Sequence, residues 1–163
     1  MTKKVRVDAI DAKIIKALSD DPRATVIALA DTTKLSRNTV QARLTKLEHQ
    51  GGVLRSFERR VDPASLGYPL TAFILTRVTQ RKLAQIASAL QQVPEVVEVH
   101  GLGGVTDMLI HVVAHEADDL YRVAGRILDI DGVEQTTTSL VMRKLIDYRI
   151  TPLLNEITSD AGK

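Results

Sequence analysis

Apolar residues at Ile10, Ile14, Ile15 and Leu18 follow the three-and-four spacing of one helical face. Asp8 stands where an N-cap would. Ser19-Asp20-Asp21-Pro22 ends this helix, because proline lacks the N–H that would continue it. Val26, Ile27, Leu29 and Ala30 mark a second, short helix that opens at Thr25 and finishes near Thr32-Thr33-Lys34. A third opens at Ser36, a good N-cap, and carries Val40, Leu44 and Leu47 at i, i+4 and i+7. Gln50-Gly51-Gly52 stops it. Three short helices with a turn of about four residues between the last two match a helix-turn-helix. Residues 53–63 then place Val53, Phe57 and Val61 on one face of a strand, either a wing or the link to a following domain.

The pattern changes after Asp62-Pro63-Ala64-Ser65-Leu66-Gly67-Tyr68-Pro69, whose two prolines and glycine read as an interdomain connection. Strand-like Thr71–Val78 is followed by a helix marked by Leu83, Ile86, Ala87 and Leu90, and by a strand at Val96–Val99. Asp107–Ala114 is a third strand. Leu120, Val123, Ala124 and Ile127 mark a second helix, and Val133–Leu145 a long fourth strand. A weak internal repeat supports this order, with Phe73–Val78 matching Leu109–Ala114 in type and Val97-Glu98 recurring as Val133-Glu134. Two such units predict a ferredoxin-like βαββαβ sandwich. The chain is therefore read as α+β, with an N-terminal winged helix-turn-helix over residues 1–62 and a ferredoxin-like domain over residues 63–163. Helices cover one face of such a sheet. The other face needs a partner if it is apolar, so a homodimer built by sheet stacking is expected.

Composition removes several function classes. The chain has 163 residues and no Cys, which excludes disulfides, thiolate metal sites and Cys catalysis. No apolar run approaches a membrane span, and the basic start lacks a hydrophobic signal core, so a cytoplasmic protein is expected. Charge is uneven: residues 1–62 carry 13 Lys and Arg against 8 Asp and Glu, whereas residues 63–163 carry 9 against 12. The basic half suits a polyanion.

The third helix sharpens that reading. Arg37, Asn38, Gln41 and Thr45 lie away from its apolar stripe, and no carboxylate appears before Glu48. A helix facing DNA avoids carboxylates, which repel phosphate, and Arg, Asn and Gln can each make paired hydrogen bonds to base edges. The alternative is a plain three-helix bundle with a polar solvent face. The candidate contacts to double-stranded DNA are thus Arg37, Asn38, Gln41 and Thr45 for bases, with Ser36 at the helix start. Arg23, Arg43 and Lys46 are candidates for phosphates, although Arg43 flanks the stripe and could pair with an acid. Elsewhere the chemistry is sparse. His111 and His115 are four apart on or just past a strand, about 13 Å, too far for one ion. Gly101-Leu102-Gly103-Gly104 has no following helix to bind a dinucleotide. Asp118 and Asp119 beside Glu116 read as acids favouring a helix N-terminus. No nucleophile sits beside an aligned base, so neither catalysis, a metal nor a cofactor is expected.

In order along the chain, Ile10-Asp11-x-x-Ile14-Ile15-x-x-Leu18, Asp21-Pro22-Arg23, Leu29-Ala30 and Leu35-Ser36-x-x-Thr39-Val40-x-x-Arg43-Leu44-x-x-Leu47-Glu48-x-x-Gly51 are joined by Val61-Asp62-Pro63, Leu66-Gly67, Gly104-x-x-Asp107, Gly132-Val133 and Thr136-x-Thr138. This set, from about Val7 to Leu154, resembles the Lrp/AsnC (feast/famine) family of prokaryotic transcription regulators. The resemblance implies dimers that often assemble into octamers. It also implies a small-molecule effector, usually an amino acid, held between regulatory domains. The effector loop implied is Gly104-Val105-Thr106-Asp107, with Thr136 and Thr138 on the last strand as its second strip. Chemically, Asp107 suits an ammonium, a glycine turn offers N–H groups to a carboxylate, and Thr hydroxyls complete a polar shell. Thr106 stands where the family commonly has an aromatic, which favours a small or polar ligand.

Overall fold

A computed structural model describes residues 6–49, 53–55 and 60–160. It contains two compact units, residues 1–59 with 146–163, and residues 60–145.

In the first unit, α1 (Ala9–Asp20) opens on a capping box in which the Asp8 carboxylate accepts from the Asp11 amide and Asp11 from the Asp8 amide. α2 (Val26–Thr33) is capped by Thr25, and α3 (Arg37–His49) by Ser36, whose hydroxyl accepts from the Thr39 amide. The joining turn is three residues, Lys34–Ser36, with Lys34 left-handed at φ 58°. Leu29, Ala30 and Val40 pack with Ala17, while Ala12, Ile14, Ile15 and Leu47 form a second cluster.

That second cluster holds a residue from the far end of the chain. α6 (Thr151–Asp160) lays Leu154 on α1, with Ile150 and Ile157 beside it, and Lys16 donates to the Asn155 side chain at 3.0 Å. The C-terminal segment was expected in the second domain; it instead completes the core of the first unit. The expected strand over residues 53–63 falls partly on residues 56–59, outside the described set, and the described residues 53–55 and 60–63 are not in a strand. At its start Val53 and Leu54 pack on the α1 cluster, and the Leu54 amide donates to the Leu47 carbonyl.

The second unit runs β1 (Leu70–Val78), α4 (Leu83–Leu90), β2 (Val96–Gly101), β3 (Met108–Ala114), α5 (Ala117–Leu128) and β4 (Val133–Leu140). The sheet order is β2-β3-β1-β4 with every pairing antiparallel, as a ferredoxin-like sandwich requires. Strand alternation explains the core. Ala72, Ile74 and Val78 of β1, with Met108, Ile110 and Val112 of β3, face Ile86 and Leu90 of α4 and Val123 and Ile127 of α5. The opposite face carries Phe73, Leu75, Leu109, His111 and, from β2, Glu98 and His100, with Phe73 stacked on His111 at 4.9 Å. β4 ends at Leu140, five residues before the position expected from its pattern. Its partner β1 starts at Leu70, and the Val141 amide makes a further bond, to Thr71.

Candidate nucleic-acid interface and effector loop

α3 buries Val40 and Leu47 and exposes Arg37, Asn38, Gln41 and Thr45. Arg37, Gln41 and Thr45 are spaced by four, so they form one ridge with Asn38 beside it. The Thr45 hydroxyl donates to the Gln41 carbonyl at 3.1 Å. Ser36 is exposed, but its oxygen is already engaged with the Thr39 amide and hydroxyl, so it positions the first turn of α3. Arg23 is exposed in the turn between α1 and α2.

Two of the expected phosphate contacts are turned elsewhere. Arg43 reaches across to α1 and pairs with Asp8 and, at 3.0 Å, with Asp11; Lys46 lies 3.3 Å from Asp11. Asp11 is fully buried, and its carboxylate accepts from both cations and from the Asp8 amide. Around Asp8, burial pushes its carboxyl up, but the Asp11 amide and the Arg43 guanidinium outweigh that and hold it below the usual carboxylate value; the same contacts raise Arg43 further. Arg43 and Lys46 therefore dock α3 on α1. Sequence reasoning noticed that Arg43 flanks the stripe, but not that Asp11 would be its partner. The signal was present: Asp11 is an acid among the apolar positions of the first helix.

At one end of the sheet, residues 102–107 connect β2 to β3, with Gly104 at φ 143° and open space where its Cβ would stand. This is a loop of six residues rather than a two-residue hairpin turn. Asp107 is the organising residue. Its amide donates to the Thr76 carbonyl at 2.9 Å and its carbonyl accepts from Leu102 at 2.7 Å. One carboxylate oxygen accepts from the Val78 amide at 2.8 Å, the other from the Gln80 side chain at 2.6 Å. Each oxygen keeps a second lone pair for a further donor. Gln80 was not anticipated, because it becomes visible only once β1 and β3 are paired.

Thr136 and Thr138 pair with Thr76 and Ile74, so both project from the helix-covered face of the edge strand β4. Thr136 is half-buried and Thr138 exposed. Asp107 and Thr136 flank β1 on opposite sides, two strand spacings or about 10 Å apart. One copy of the chain thus does not bring Asp107, Thr136 and Thr138 together around a single small molecule. Thr106 is half-buried between the exposed Val105 and Asp107. Thr76, buried between the β3 and β4 rows, has a hydroxyl with no hydrogen-bond partner among the described residues.

The histidines separate. His111 lies on the open sheet face, whereas His115 stacks on Tyr68 at 4.0 Å and bonds the Gly67 carbonyl through Nδ1 at 2.6 Å. Among the described residues no helix is long and apolar enough to cross a membrane.

Two family models match the chain, an AsnC-type helix-turn-helix domain over residues 7–48 and an Lrp/AsnC ligand-binding domain over residues 71–151. The HTH-type transcriptional regulator FL11 of Pyrococcus horikoshii is 36% identical over 140 residues, covering 86% of this chain and 92% of its own. Among solved structures, E. coli AsnC superposes with a TM-score of 0.79 at 27% identity, covering 91% of this chain and all of that one. The transcriptional regulator NMB0573 of Neisseria meningitidis, solved as a complex with L-Met, gives 0.76 at 26% identity, covering 87% and 94%.

Proposed function

The chain belongs to the Lrp/AsnC family of transcription regulators, and on that premise we propose how its own residues read DNA and take an effector. It is a helix-turn-helix regulator and not an enzyme. α3 enters the major groove with Arg37, Asn38, Gln41 and Thr45 toward the base edges. Arg and Asn or Gln suit guanine and adenine, and the Thr45 methyl suits thymine. Arg23 takes a phosphate. Ser36, Arg43 and Lys46 hold the helix in place. The observation that carries this reading is the sorting of the α3 side chains. The cations that dock the helix are paired to Asp11, while the exposed ridge bears no carboxylate.

One such helix covers only a few base pairs, so two copies act together, their recognition helices about 34–36 Å apart on one face of the duplex. The open sheet face of Phe73, Leu75 and Leu109 is the surface that pairs in this homodimer, and octamers are the next level of assembly. The effector is an amino acid, a reading supported by the L-Met complex of NMB0573. Its ammonium meets Asp107 and its carboxylate the glycine turn at Gly104, with Thr106 beside them. Thr136 and Thr138 come from a second copy, which accounts for their separation from Asp107 in one. The regulator acts in the cytoplasm and needs no other cofactor.

The test is a duplex-binding titration with and without each natural amino acid. The parent binds duplex DNA, and one or more amino acids shift its affinity. Asp107→Asn, which still accepts from the Val78 amide, binds DNA as the parent does but no longer responds. A full response in the variant, or no duplex binding by the parent, overturns the proposal.

A further inference from the structure

A second charged cleft lies at the opposite end of the sheet from the Gly104–Asp107 loop. It is an open depression of about 500 Å³ lined by Glu95, Asp119, Arg122, Gly125, Arg126 and Asp129. Glu95 directly precedes β2, and its carbonyl accepts from the Val113 amide. Asp107 precedes the other end of β3, so about 20 Å of strand separates the two places.

Three features of this cleft point to a ligand. Gly125 sits in the interior of α5, where glycine weakens a helix relative to alanine, and nothing lies within 4 Å of where its Cβ would stand. The helix backbone is thereby laid open at the cleft floor. Glu95 gives one carboxylate oxygen to Arg126 at 2.6 Å, while the other is buried with no hydrogen-bond partner among the described residues. A buried carboxylate oxygen calls for a donor. Arg122 and Arg126 are held through single nitrogens, by Asp119 at 2.9 Å and by Glu95, and a guanidinium carries five N–H donors. An unmatched acceptor thus stands directly beside spare cationic donors.

We propose that this cleft is a second binding site, for a small or polar α-amino acid. The ligand's ammonium donates to the free oxygen of Glu95, and its carboxylate lies against the outward nitrogens of Arg122 and Arg126. One carbon joins the two charges of an α-amino acid, which matches an acceptor and a cation that already touch. The lining is charged side chains and one glycine, with no apolar wall, so a large apolar side chain gains nothing here. The proposal does not depend on the Asp107 loop.

Calorimetry on the full chain tests it, with glycine, serine, asparagine and glutamine as probes and methionine as the apolar comparison. Glu95→Gln removes the charge that the ammonium meets. Gly125→Gln fills the open space on a helix it does not disturb, and an unchanged or raised Tm verifies that fold. With the loop site removed by Asp107→Asn, the chain still binds a small polar probe, and either cleft variant in that background weakens the binding at least tenfold. The proposal is overturned if none of the four small probes binds at millimolar concentration. It is equally overturned if Asp107→Asn alone abolishes the binding, or if binding in that background survives both cleft variants.

Discussion

Replacing Asp11 with alanine deletes a fully buried carboxylate that accepts from the Asp8 amide, the Arg43 guanidinium and the Lys46 ammonium. Removing one partner from a buried charge pair costs roughly 3–5 kcal/mol when the remaining charge stays dry. Here the stranded cations are wetter: the Arg43 and Lys46 side chains are 27% and 32% exposed. Water recovers part of the loss, so the lower end, about 3 kcal/mol, is the expected destabilisation. For a unit of this size that lowers Tm by roughly 12–24 °C. Asp11→Asn keeps an acceptor for the Asp8 amide and should cost about 1.5 kcal/mol. Asp8→Ala removes an N-cap in a more exposed place and should cost about 1 kcal/mol. Urea denaturation of the three variants followed by circular dichroism gives the order directly. A second readout is independent of stability. Two cations freed from Asp11 become available to phosphates, so the salt dependence of non-specific duplex binding should steepen by up to about 1.8 in log–log slope. The reasoning is refuted if Asp11→Ala costs no more than Asp8→Ala and leaves the salt slope unchanged.

Two further outcomes follow from the second unit. Burial holds His111 below its ordinary value of 6.5, with Glu98 raising it and His100 lowering it. The unfolded chain therefore binds the proton more readily than the folded one. The contribution of neutral His111 is complete above about 6.5 and is lost as pH falls through the lower folded value. Stacking a second sheet on this face deepens the burial, so light scattering should show the dimer weakening from pH 7.5 to pH 5.5. His111→Leu should flatten that dependence, and an unchanged slope in the variant contradicts the assignment. Gly132 has φ 99°, and a Cβ there would meet Lys82 Cδ at 2.8 Å and Ile86 Cδ1 at 3.1 Å. Gly132→Ala should therefore cost about 2 kcal/mol in urea denaturation, whereas Gly125→Ala should stabilise by about 0.5–1 kcal/mol. Equal effects at the two glycines would contradict the geometry.

What the sequence made legible depended on the range of the interactions involved. Asp8, Thr25 and Ser36 announce their helices because a cap is a local event within three or four residues. The βαββαβ order was readable because each strand and helix repeats its own period, twice. The overrun of β4 had a non-local cause. Nothing in residues 141–145 marks the stop, which is set by where β1 begins. α6 hid behind that overrun, although Ile150, Leu154 and Ile157 at i, i+4 and i+7, with Pro152 in the first turn, carry a helical signature. The exposed ridge of α3 was predictable from spacing alone. The pairing of Arg43 and Lys46 with Asp11 required knowing how α1 crosses α3, and the clamp of Gln80 on Asp107 required the register of β1 with β3.

The central claim is that the α3 ridge reads bases while Arg23 meets the phosphate backbone. It is tested by measuring affinity for a selected duplex and for its single-base variants, using the parent chain, Asn38→Ala, Gln41→Ala and Arg23→Ala. Asn38→Ala and Gln41→Ala should each lose roughly 1–3 kcal/mol on the preferred duplex and become indifferent to the base at one position. Arg23→Ala should weaken binding to every duplex about equally and reduce the salt slope by about 1. Parental affinity and base preference in both ridge variants would contradict the account.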